Sequence, residues 1–280
     1  MVRSSDDTRS ALISKTSTLK SSYRFTVSSL LSPISYLLFP ISYLLSPISR
    51  LLSLRFNWRR IRRFVVILIA VLTIGPIILT LPLNFIQPPT TAVMLWRTSQ
   101  RLAAGKKPAY PKRDAVARSQ ISPHLRRAVL AAEDDRFYLH LGFDFVEIDK
   151  AIEKAQRGGR LRGASTITQQ VAKNLFLWEG RSFIRKGAEA YLTLVLELCL
   201  SKDRILDLYL NMAEWGDGVF GAEMAARTHF RKSARNLSRL EAARLAAILP
   251  APRRWPPYGS VATRRAEAIL NRMAFAAPRE

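Results

Sequence analysis

The sequence predicts a mainly α-helical domain that follows a single transmembrane helix. Residues 64–86 form an uncharged, apolar run, and its 23 residues exceed the roughly 20 that an α-helix needs to cross a bilayer. From Ser122-Pro123, which has the form of an N-cap followed by a first-turn proline, the pattern is mostly helical with short glycine- or proline-marked loops. No convincing alternation of polar and apolar residues predicts strands.

Composition narrows the classes of partner and site. The chain has 280 residues, and 44 Lys+Arg against 21 Asp+Glu give a net charge of +23. This charge indicates a polyanionic partner: nucleic acid, anionic lipid or a phosphorylated substrate. The single cysteine, Cys199, excludes an internal disulfide framework and a multi-cysteine metal cluster. The three histidines are too scattered to predict a zinc site.

The apolar run at residues 64–86 is interpreted as an uncleaved anchor, and a buried core helix is the alternative. A secretory signal peptide has a shorter apolar core, and no small-residue cleavage site follows the run at once. More basic residues precede the run than follow it, which predicts a cytoplasmic N-terminus and an extracytoplasmic remainder. The preceding arginines are Arg50, Arg55, Arg59, Arg60, Arg62 and Arg63; Arg97, Arg101 and Lys106 follow.

Four regions are predicted along the chain. Residues 1–63 form a low-complexity, disordered cytoplasmic tail, residues 64–86 the membrane helix, residues 87–109 a connector and residues 110–280 the helical domain. Within the tail, residues 32–52 repeat one heptad three times (SPISYLL, FPISYLL, SPISRLL). A proline in every heptad forbids a regular coiled coil. Repeats this faithful indicate a duplicated coding segment rather than a packed fold, so the tail is interpreted as dispensable, with a membrane-surface amphipathic segment as the alternative.

The first stretch with chemical potential is a helix that ends in three carboxylates. Glu133, Asp134 and Asp135 directly follow an apolar segment. Because a helix C-terminus disfavours negative charge, this placement costs stability and indicates a site. A solvated acidic turn is the alternative.

The second stretch places polar side chains on one face of a helix. These residues recur at i, i+3, i+4, i+7 and i+8, and Ser165 is the predicted N-cap. Amides, a hydroxyl and one ammonium suit a sugar or phosphate ligand, and an ordinary polar helix face is the alternative. The members of the face are Thr166, Gln169, Gln170, Lys173 and Asn174.

The third stretch combines an acid with two cations. Glu189 follows Arg185 by four residues and Lys186 by three, and the helix then continues with apolar residues. Glu189 is therefore predicted to be enclosed beside cations, either in a site or in a structural ion pair. A fourth stretch, residues 202–221, reads as an amphipathic helix and a glycine-rich turn and is interpreted mostly as scaffold.

Four motifs in these stretches resemble those of the peptidoglycan glycosyltransferases of glycosyltransferase family 51. They are E-D-x-x-F-x-x-H-x-G-F-D at 133–144, G-x-S-T-x-T-Q-Q-x-x-K-N at 163–174, R-K-x-x-E at 185–189 and K-x-x-I-L-x-x-Y-L-N at 202–211. The resemblance covers roughly residues 110–275. The chain looks like the monofunctional branch, because the penicillin-binding motif K-T-G is missing and S-x-x-K occurs only at residues 17–20, before the membrane run.

The resemblance implies a lysozyme-like helical lobe with a smaller membrane-facing lobe. It implies that residues 110–280 polymerise lipid II (undecaprenyl-pyrophosphoryl disaccharide-pentapeptide) into glycan strands by inverting transfer to a GlcNAc 4-hydroxyl. Glu133 would be the general base and Glu189 the second essential acid. The implied substrate-binding residues are Lys173 and Arg181 at the donor pyrophosphate, Arg185 and Lys186 nearby, Ser165, Gln169, Gln170 and Asn174 along the donor site, and Lys150.

Cofactor, partners and location follow as expectations from the same resemblance. A divalent cation (Mg²⁺ or Mn²⁺) is the one cofactor considered, with Glu189 or Asp134 as candidate ligand. The expected partners are lipid II, nascent glycan strands, the bilayer, and other cell-wall synthesis and division proteins, but not nucleic acid. The expected location is the bacterial inner membrane, with the catalytic domain in the periplasm. The alternatives are a lytic murein hydrolase of lysozyme-like fold and an inactive cell-wall scaffold.

Overall fold

A computed structural model of the chain describes residues 57–105, 112–159, 165–180 and 182–274. The chain divides into two units, residues 1–68 and 69–280, with the boundary inside the first described helix. Most of the predicted tail, residues 1–56, and the predicted site residue Arg181 lie outside the described residues.

The membrane-helix prediction corresponds to α1 (Trp58–Thr80) and the 3₁₀ turn Leu81–Asn84 that continues it. Among the described residues, this 27-residue segment is the one that is long and apolar enough to cross a membrane by length and composition. The helix begins before residue 64 because the preceding arginines favour helix as strongly as leucine does. Pro82 lacks a backbone N–H, and the regular α-helix ends just before it.

Helices account for most of the remaining structure, which confirms the predicted mainly α-helical class. They are α2 (Ala92–Ala103), α3 (Pro123–Glu133), α4 (Phe145–Gln156), α5 (Ile167–Phe176), α6 (Phe183–Cys199), α7 (Lys202–Met212), α8 (Ala222–Phe230), α9 (Arg239–Ile248) and α10 (Ser260–Arg272). Short 3₁₀ turns lie at Arg118–Gln120, Phe137–Leu139 and Ala234–Asn236.

One small sheet was not predicted from the sequence. Its strands are β1 (Lys112–Arg113), β2 (Glu214–Gly216) and β3 (Val219–Phe220), in the order β1-β3-β2. β3 pairs in parallel with β1 and antiparallel with β2. Strands of two or three residues are too short to show an alternating pattern, so periodicity could not indicate them.

Local signals set two of the helix starts that matter for the site. The Ser122 side chain caps α3, with Pro123 in the first turn as predicted. The predicted cap Ser165 is wrong, because Thr166 is the N-cap of α5. Its hydroxyl accepts from the Gln169 backbone N–H at 3.3 Å, and Gln169 Oε1 accepts from the Thr166 N–H at 3.0 Å. This capping box explains why the cap falls at the later hydroxyl residue.

Two groups of helices surround the core. Helix α9 packs against α3 and α10, and four fully buried alanines, Ala242, Ala243, Ala246 and Ala247, let these helices approach closely. Helix α5 packs against α6, α7 and α2. The largest buried side chains, among them Trp215 and Tyr209, fill the core beside these contacts.

Residues 87–109, predicted as a connector, contain the packed helix α2. Thr91 caps this helix, and Val93 and Met94 bury their side chains in a small cluster with Phe220. Prolines at 88, 89 and 108 dominate the sequence pattern there and obscure the intervening helix. The described part of the predicted connector, up to residue 105, therefore contains a helix that packs against α5 and Phe220.

Candidate active site

Glu133 is the last residue of α3, and its carboxylate is held by a chain of two hydrogen bonds. Gln170 Nε2, from α5, donates to Glu133 Oε2 at 2.9 Å. The hydroxyl of the buried Tyr209, from α7, donates to Gln170 Oε1 at 3.2 Å. Because a carboxylate can only accept, the Gln170 amide must present its NH₂ to Glu133, and Tyr209 stabilises that orientation.

Burial raises the pKa of Glu133 above its ordinary value, and the neighbouring Asp134 adds a smaller contribution in the same direction. The hydrogen bond from Gln170 and the positive charges of Arg265 and Lys173 oppose this rise. Desolvation by burial is the larger of these two causes. A carboxylate with a raised pKa is a stronger base than an exposed one, which suits proton abstraction from a hydroxyl.

The larger cavity near Glu133 has a volume of about 660 Å³. Gln170, Lys173 and Asn174 line one wall, so three members of the predicted polar face lie together. The loop between α9 and α10 forms another wall and includes Arg253 and Arg254. The cavity therefore presents amides and several cations, which fits an anionic ligand that also carries sugar hydroxyls.

A smaller cavity of about 160 Å³ contains Glu133 itself. Ser165 and Thr166, just before α5, line it together with Asp135 and Arg272. Gln170 lines the larger cavity and bonds to Glu133, so this hydrogen bond joins the walls of the two cavities. The Glu133 carboxylate thus lies between the two cavities, where a ligand in one would approach a ligand in the other.

Asp134 connects the end of α3 to the start of α5. His140 Nε2 contacts its Oδ1 at 2.9 Å, and its Oδ2 accepts from the Ile167 backbone N–H at 3.0 Å. A carboxylate is favourable at this position because the N-terminus of α5 carries partial positive charge. Asp134 therefore fixes the geometry between Glu133 and the polar face of α5.

Asp134, His140 and Asp144 place potential metal-ligating atoms within 4.8 Å of one another. Asp144 Oδ1 accepts from the Glu147 N–H at 3.1 Å, and its Oδ2 lies 3.1 Å from Arg136 Nε. Both Asp134 oxygens have partners, whereas the buried Asp144 Oδ2 meets Arg136 without hydrogen-bond geometry and His140 Nδ1 has no hydrogen-bond partner among the described residues. The group therefore supports the N-termini of α4 and α5 and also leaves two buried polar atoms without hydrogen bonds.

Glu189 lies buried on α6 between two cations, as predicted. Its carboxylate forms ion pairs with Arg185 Nη1 at 2.9 Å and with Lys186 Nζ. The structure therefore brings this predicted group together, and its three members are not among the residues that line the two cavities.

Of the other predicted binding residues, Ser165 lines a cavity, whereas Gln169 and Lys150 make contacts elsewhere. Ser165 lines the smaller cavity, whereas the Gln169 side chain is occupied in the α5 capping box. Lys150 is exposed on α4 and forms an ion pair with Glu147 at 2.7 Å within the same helix. This hydrogen bond raises the pKa of Lys150. Lys150 lines neither cavity.

Five charged residues of the larger cavity were missed from the sequence: Arg97, Glu179, Glu214, Arg253 and Arg254. Arg97 Nη2, from α2, lies 2.5 Å from Glu179 Oε1 and 3.3 Å from Glu214 Oε2. Burial raises the pKa of Glu214, while Arg97 and then Arg253 oppose the rise. Arg97 falls in the segment taken as a connector, and Glu214 falls in the stretch taken as scaffold, so neither position carried a functional signal.

Helix α6 carries an exposed apolar stripe beside the later part of α1. The stripe comprises Ile184, Tyr191, Leu194 and Leu198, spaced so that they share one face, and Leu198 is 85% exposed. The Tyr191 hydroxyl donates to the Thr73 carbonyl of α1 at 2.7 Å. An apolar surface beside an apolar helix of membrane-spanning length suits contact with lipid.

The segment after α1 is also fixed to the domain. Asn84 Nδ2 donates to the Cys199 carbonyl at 3.0 Å. The Arg204 guanidinium, from α7, donates to the carbonyls of Leu83 and Ile86. These bonds satisfy backbone acceptors where the helix ends and hold its exit against α6 and α7.

Comparison with known proteins supports one family. A family model described as "Transglycosylase" matches residues 100–274. A protein named biosynthetic peptidoglycan transglycosylase from Pseudomonas putida (strain W619) is 51% identical over 193 residues, which is 68% of this chain and 81% of the relative. Proteins with the same name from Pseudomonas syringae pv. syringae and Ectopseudomonas mendocina are 47% identical over 201 residues (71% and 85%) and 46% identical over 216 residues (77% and 86%).

Proposed function

Because the chain belongs to the transglycosylase family, we propose that it polymerises lipid II into the glycan strands of peptidoglycan during cell-wall synthesis. The growing strand is transferred from undecaprenyl pyrophosphate to the 4-hydroxyl of a GlcNAc residue, with inversion at the anomeric carbon. The observation that carries this proposal is the Glu133 carboxylate with a raised pKa, joined by Gln170 to a cavity that contains Lys173 and Asn174.

Glu133 acts as the general base in this reaction. As the acceptor 4-oxygen attacks the anomeric carbon of the donor, its proton passes to a Glu133 oxygen. The bond from that carbon to the pyrophosphate oxygen breaks, and undecaprenyl pyrophosphate leaves with the electron pair. The proton on Glu133 then returns to solvent. Gln170 keeps the carboxylate oriented through the cycle, because its own amide is oriented by Tyr209.

The leaving pyrophosphate gains negative charge as the bond breaks, so cations in the cavity stabilise the transition state. Lys173 is the described residue that supplies this charge from the polar face of α5. Arg181, outside the described residues, is the second donor-site cation of the proposal. Ser165, Gln170 and Asn174 bind sugar hydroxyls along the two cavities.

Glu189 is proposed as the second essential acid, acting through its cations rather than on the substrate. Its ion pairs fix Arg185 and Lys186 along one side of α6. Arg185 is mostly buried and Lys186 is half exposed. While both stay paired with Glu189, the two cations can add positive electrostatic potential along this side of α6.

No step of this mechanism uses a divalent cation. Asp134 and Glu189 were the two carboxylates considered as ligands. Both oxygens of Asp134 have hydrogen-bond partners in His140 and the Ile167 N–H, and both oxygens of Glu189 face Arg185 and Lys186. A resident metal would have to displace these partners.

The apolar α1 supports anchoring in a membrane, and we place it in the bacterial inner membrane with residues 110–280 in the periplasm. Arginines concentrated before the apolar run support this orientation. The lipid tail of the substrate lies in the same bilayer, so anchoring confines enzyme and substrate to one surface. Nascent strands and other cell-wall synthesis and division proteins are the proposed partners; nucleic acid is not.

The alternatives receive less support. A lytic murein hydrolase cleaves a neutral glycosidic bond and does not need a cationic cavity beside its acid, and the relatives are named as biosynthetic enzymes. An inactive scaffold does not need a carboxylate with a raised pKa that is positioned by two hydrogen bonds.

The test is polymerisation of labelled lipid II by the full chain, in detergent and in liposomes, beside Glu133→Gln. Glu153→Gln is the matched control, because this acid is exposed on α4 in an i,i+4 pair with Arg157. We expect polymer from the parent and the control, and a loss of about 10²-fold or more for Glu133→Gln. Polymer from all three would refute the role of Glu133, and shortening of preformed glycan by the parent would support the hydrolase.

A further inference from the structure

We propose that Arg97 is a positioning residue that keeps the cations of the larger cavity available to the donor pyrophosphate by holding Glu179 and Glu214 away from them. This inference rests on the proposed function and concerns a residue that lies before the match to the family model, which begins at residue 100. Arg97 belongs to α2, which packs against α5, the helix that carries Lys173.

The Arg97 guanidinium is mostly buried and lies between two carboxylates. Its side chain is 15% exposed, and one guanidinium nitrogen lies within ion-pair distance of both Glu179 and Glu214. Glu179 comes from the loop between α5 and α6, and Glu214 comes from β2 and is 11% exposed. Arg97 thus joins three elements that are distant in sequence around a single cavity.

The acids would otherwise oppose the binding of a pyrophosphate. Glu179 and Glu214 line the same cavity as Lys173, Arg253 and Arg254. Without Arg97, each carboxylate would be left partly buried and would gain by pairing with Lys173 or Arg253. Such pairs would remove cations that the substrate needs and would leave negative charge facing it.

The attachment of α2 does not itself require Arg97. Val93 and Met94 bury this helix against Phe220, and Thr91 caps its first turn. One turn later, Arg101 forms an exposed ion pair with Asp217 at 3.1 Å and does not line the larger cavity. Arg101 therefore offers a matched arginine on the same helix that does not itself line the larger cavity, although it lines a neighbouring cavity with Arg97, Glu214 and Arg253.

The experiment measures initial rates of polymerisation by the full chain against lipid II concentration at a fixed detergent concentration. The variants are Arg97→Met, Arg97→Lys, the triple variant Arg97→Met/Glu179→Gln/Glu214→Gln, and Arg101→Met as control. For Arg97→Met we expect KM to rise roughly tenfold or more and kcat to fall as well, because the same cations bind the donor pyrophosphate and stabilise its departure. The triple variant restores KM to within about threefold of the parent, because the unpaired acids are gone; Arg97→Lys is intermediate.

Three results would overturn the inference: an unchanged KM in Arg97→Met, an equal rise in Arg101→Met, or no recovery in the triple variant. If thermal unfolding shows that Arg97→Met does not fold, Arg97→Lys with and without Glu214→Gln decides by the same criterion. A parent that makes no polymer refutes the proposed function and this inference together. A parent that makes polymer beside an Arg97→Met variant with normal KM refutes the inference alone.

Discussion

Replacing Gln170 by methionine removes the hydrogen bond to Glu133 Oε2 while keeping a side chain of similar length. A hydrogen bond to a charged group contributes about 1.5–3 kcal/mol, and one pKa unit corresponds to about 1.4 kcal/mol. This bond favours the ionised carboxylate, so its loss raises the pKa of Glu133 further beyond the rise that burial already causes. Because the base works in its ionised form, the acid limb of kcat/KM moves to higher pH by the same amount.

The assay is the pH dependence of lipid II polymerisation, from about pH 5 to pH 9, by the parent and by Gln170→Met. Asn174→Leu is the control, because this amide lines the same cavity but has no hydrogen bond to Glu133. The control should change KM without moving the acid limb. Tyr209→Phe should shift the limb in the same direction as Gln170→Met but by less, since Gln170 keeps its donor. An unmoved limb in Gln170→Met, or an equal shift in the control, would refute the assignment of Glu133 as the titrating base.

Two further predictions concern the fold and the binding residues. Gly142→Ala should lower the free energy of unfolding by about 2 kcal/mol or more in denaturant titrations, because φ is +79° and the new Cβ would lie 2.6 Å from Thr193 Cγ2. Gly158→Ala, at the same φ with open space around it, should cost about half as much; equal losses would refute the steric argument. Lys150→Ala should leave KM for lipid II within about twofold, whereas Lys173→Ala should raise it more than tenfold. A comparable rise of KM in Lys150→Ala would refute this prediction and would support a role for Lys150 in binding the substrate.

Sequence patterns predicted those features that depend on neighbours along the chain. The end of α3 at Glu133 follows from the transition from apolar residues to acids, and its start follows from Ser122-Pro123. Helical spacing alone brought Gln170, Lys173 and Asn174 to one wall. The cap of α5 was predictable too, because Thr166 and Gln169 have the spacing of a capping box.

Features that depend on tertiary contacts left no such pattern. Arg97 meets Glu179 and Glu214 across 82 and 117 residues of sequence, and no local spacing indicates such a pair. The bond between Tyr209 and Gln170 depends on how α7 packs against α5. Glu189 does not line either cavity, and this depends on which way its face of α6 is turned in the fold. The sequence motif gives only the order of the residues.

Hydrogen bonds from Arg204 to the carbonyls of Leu83 and Ile86, and from Asn84 to the Cys199 carbonyl, hold the chain just after α1 against the domain. This attachment affects the units in which the reaction rate should be expressed. With α1 anchored in a membrane as proposed, the domain is held directly on that helix and meets a lipid-linked substrate at the bilayer surface rather than in bulk solution. The relevant concentration is then the mole fraction of lipid II among the surrounding lipids. Added phospholipid dilutes lipid II within the bilayer and slows the enzyme. Added buffer leaves the mole fraction of lipid II, and therefore the rate per enzyme, unchanged.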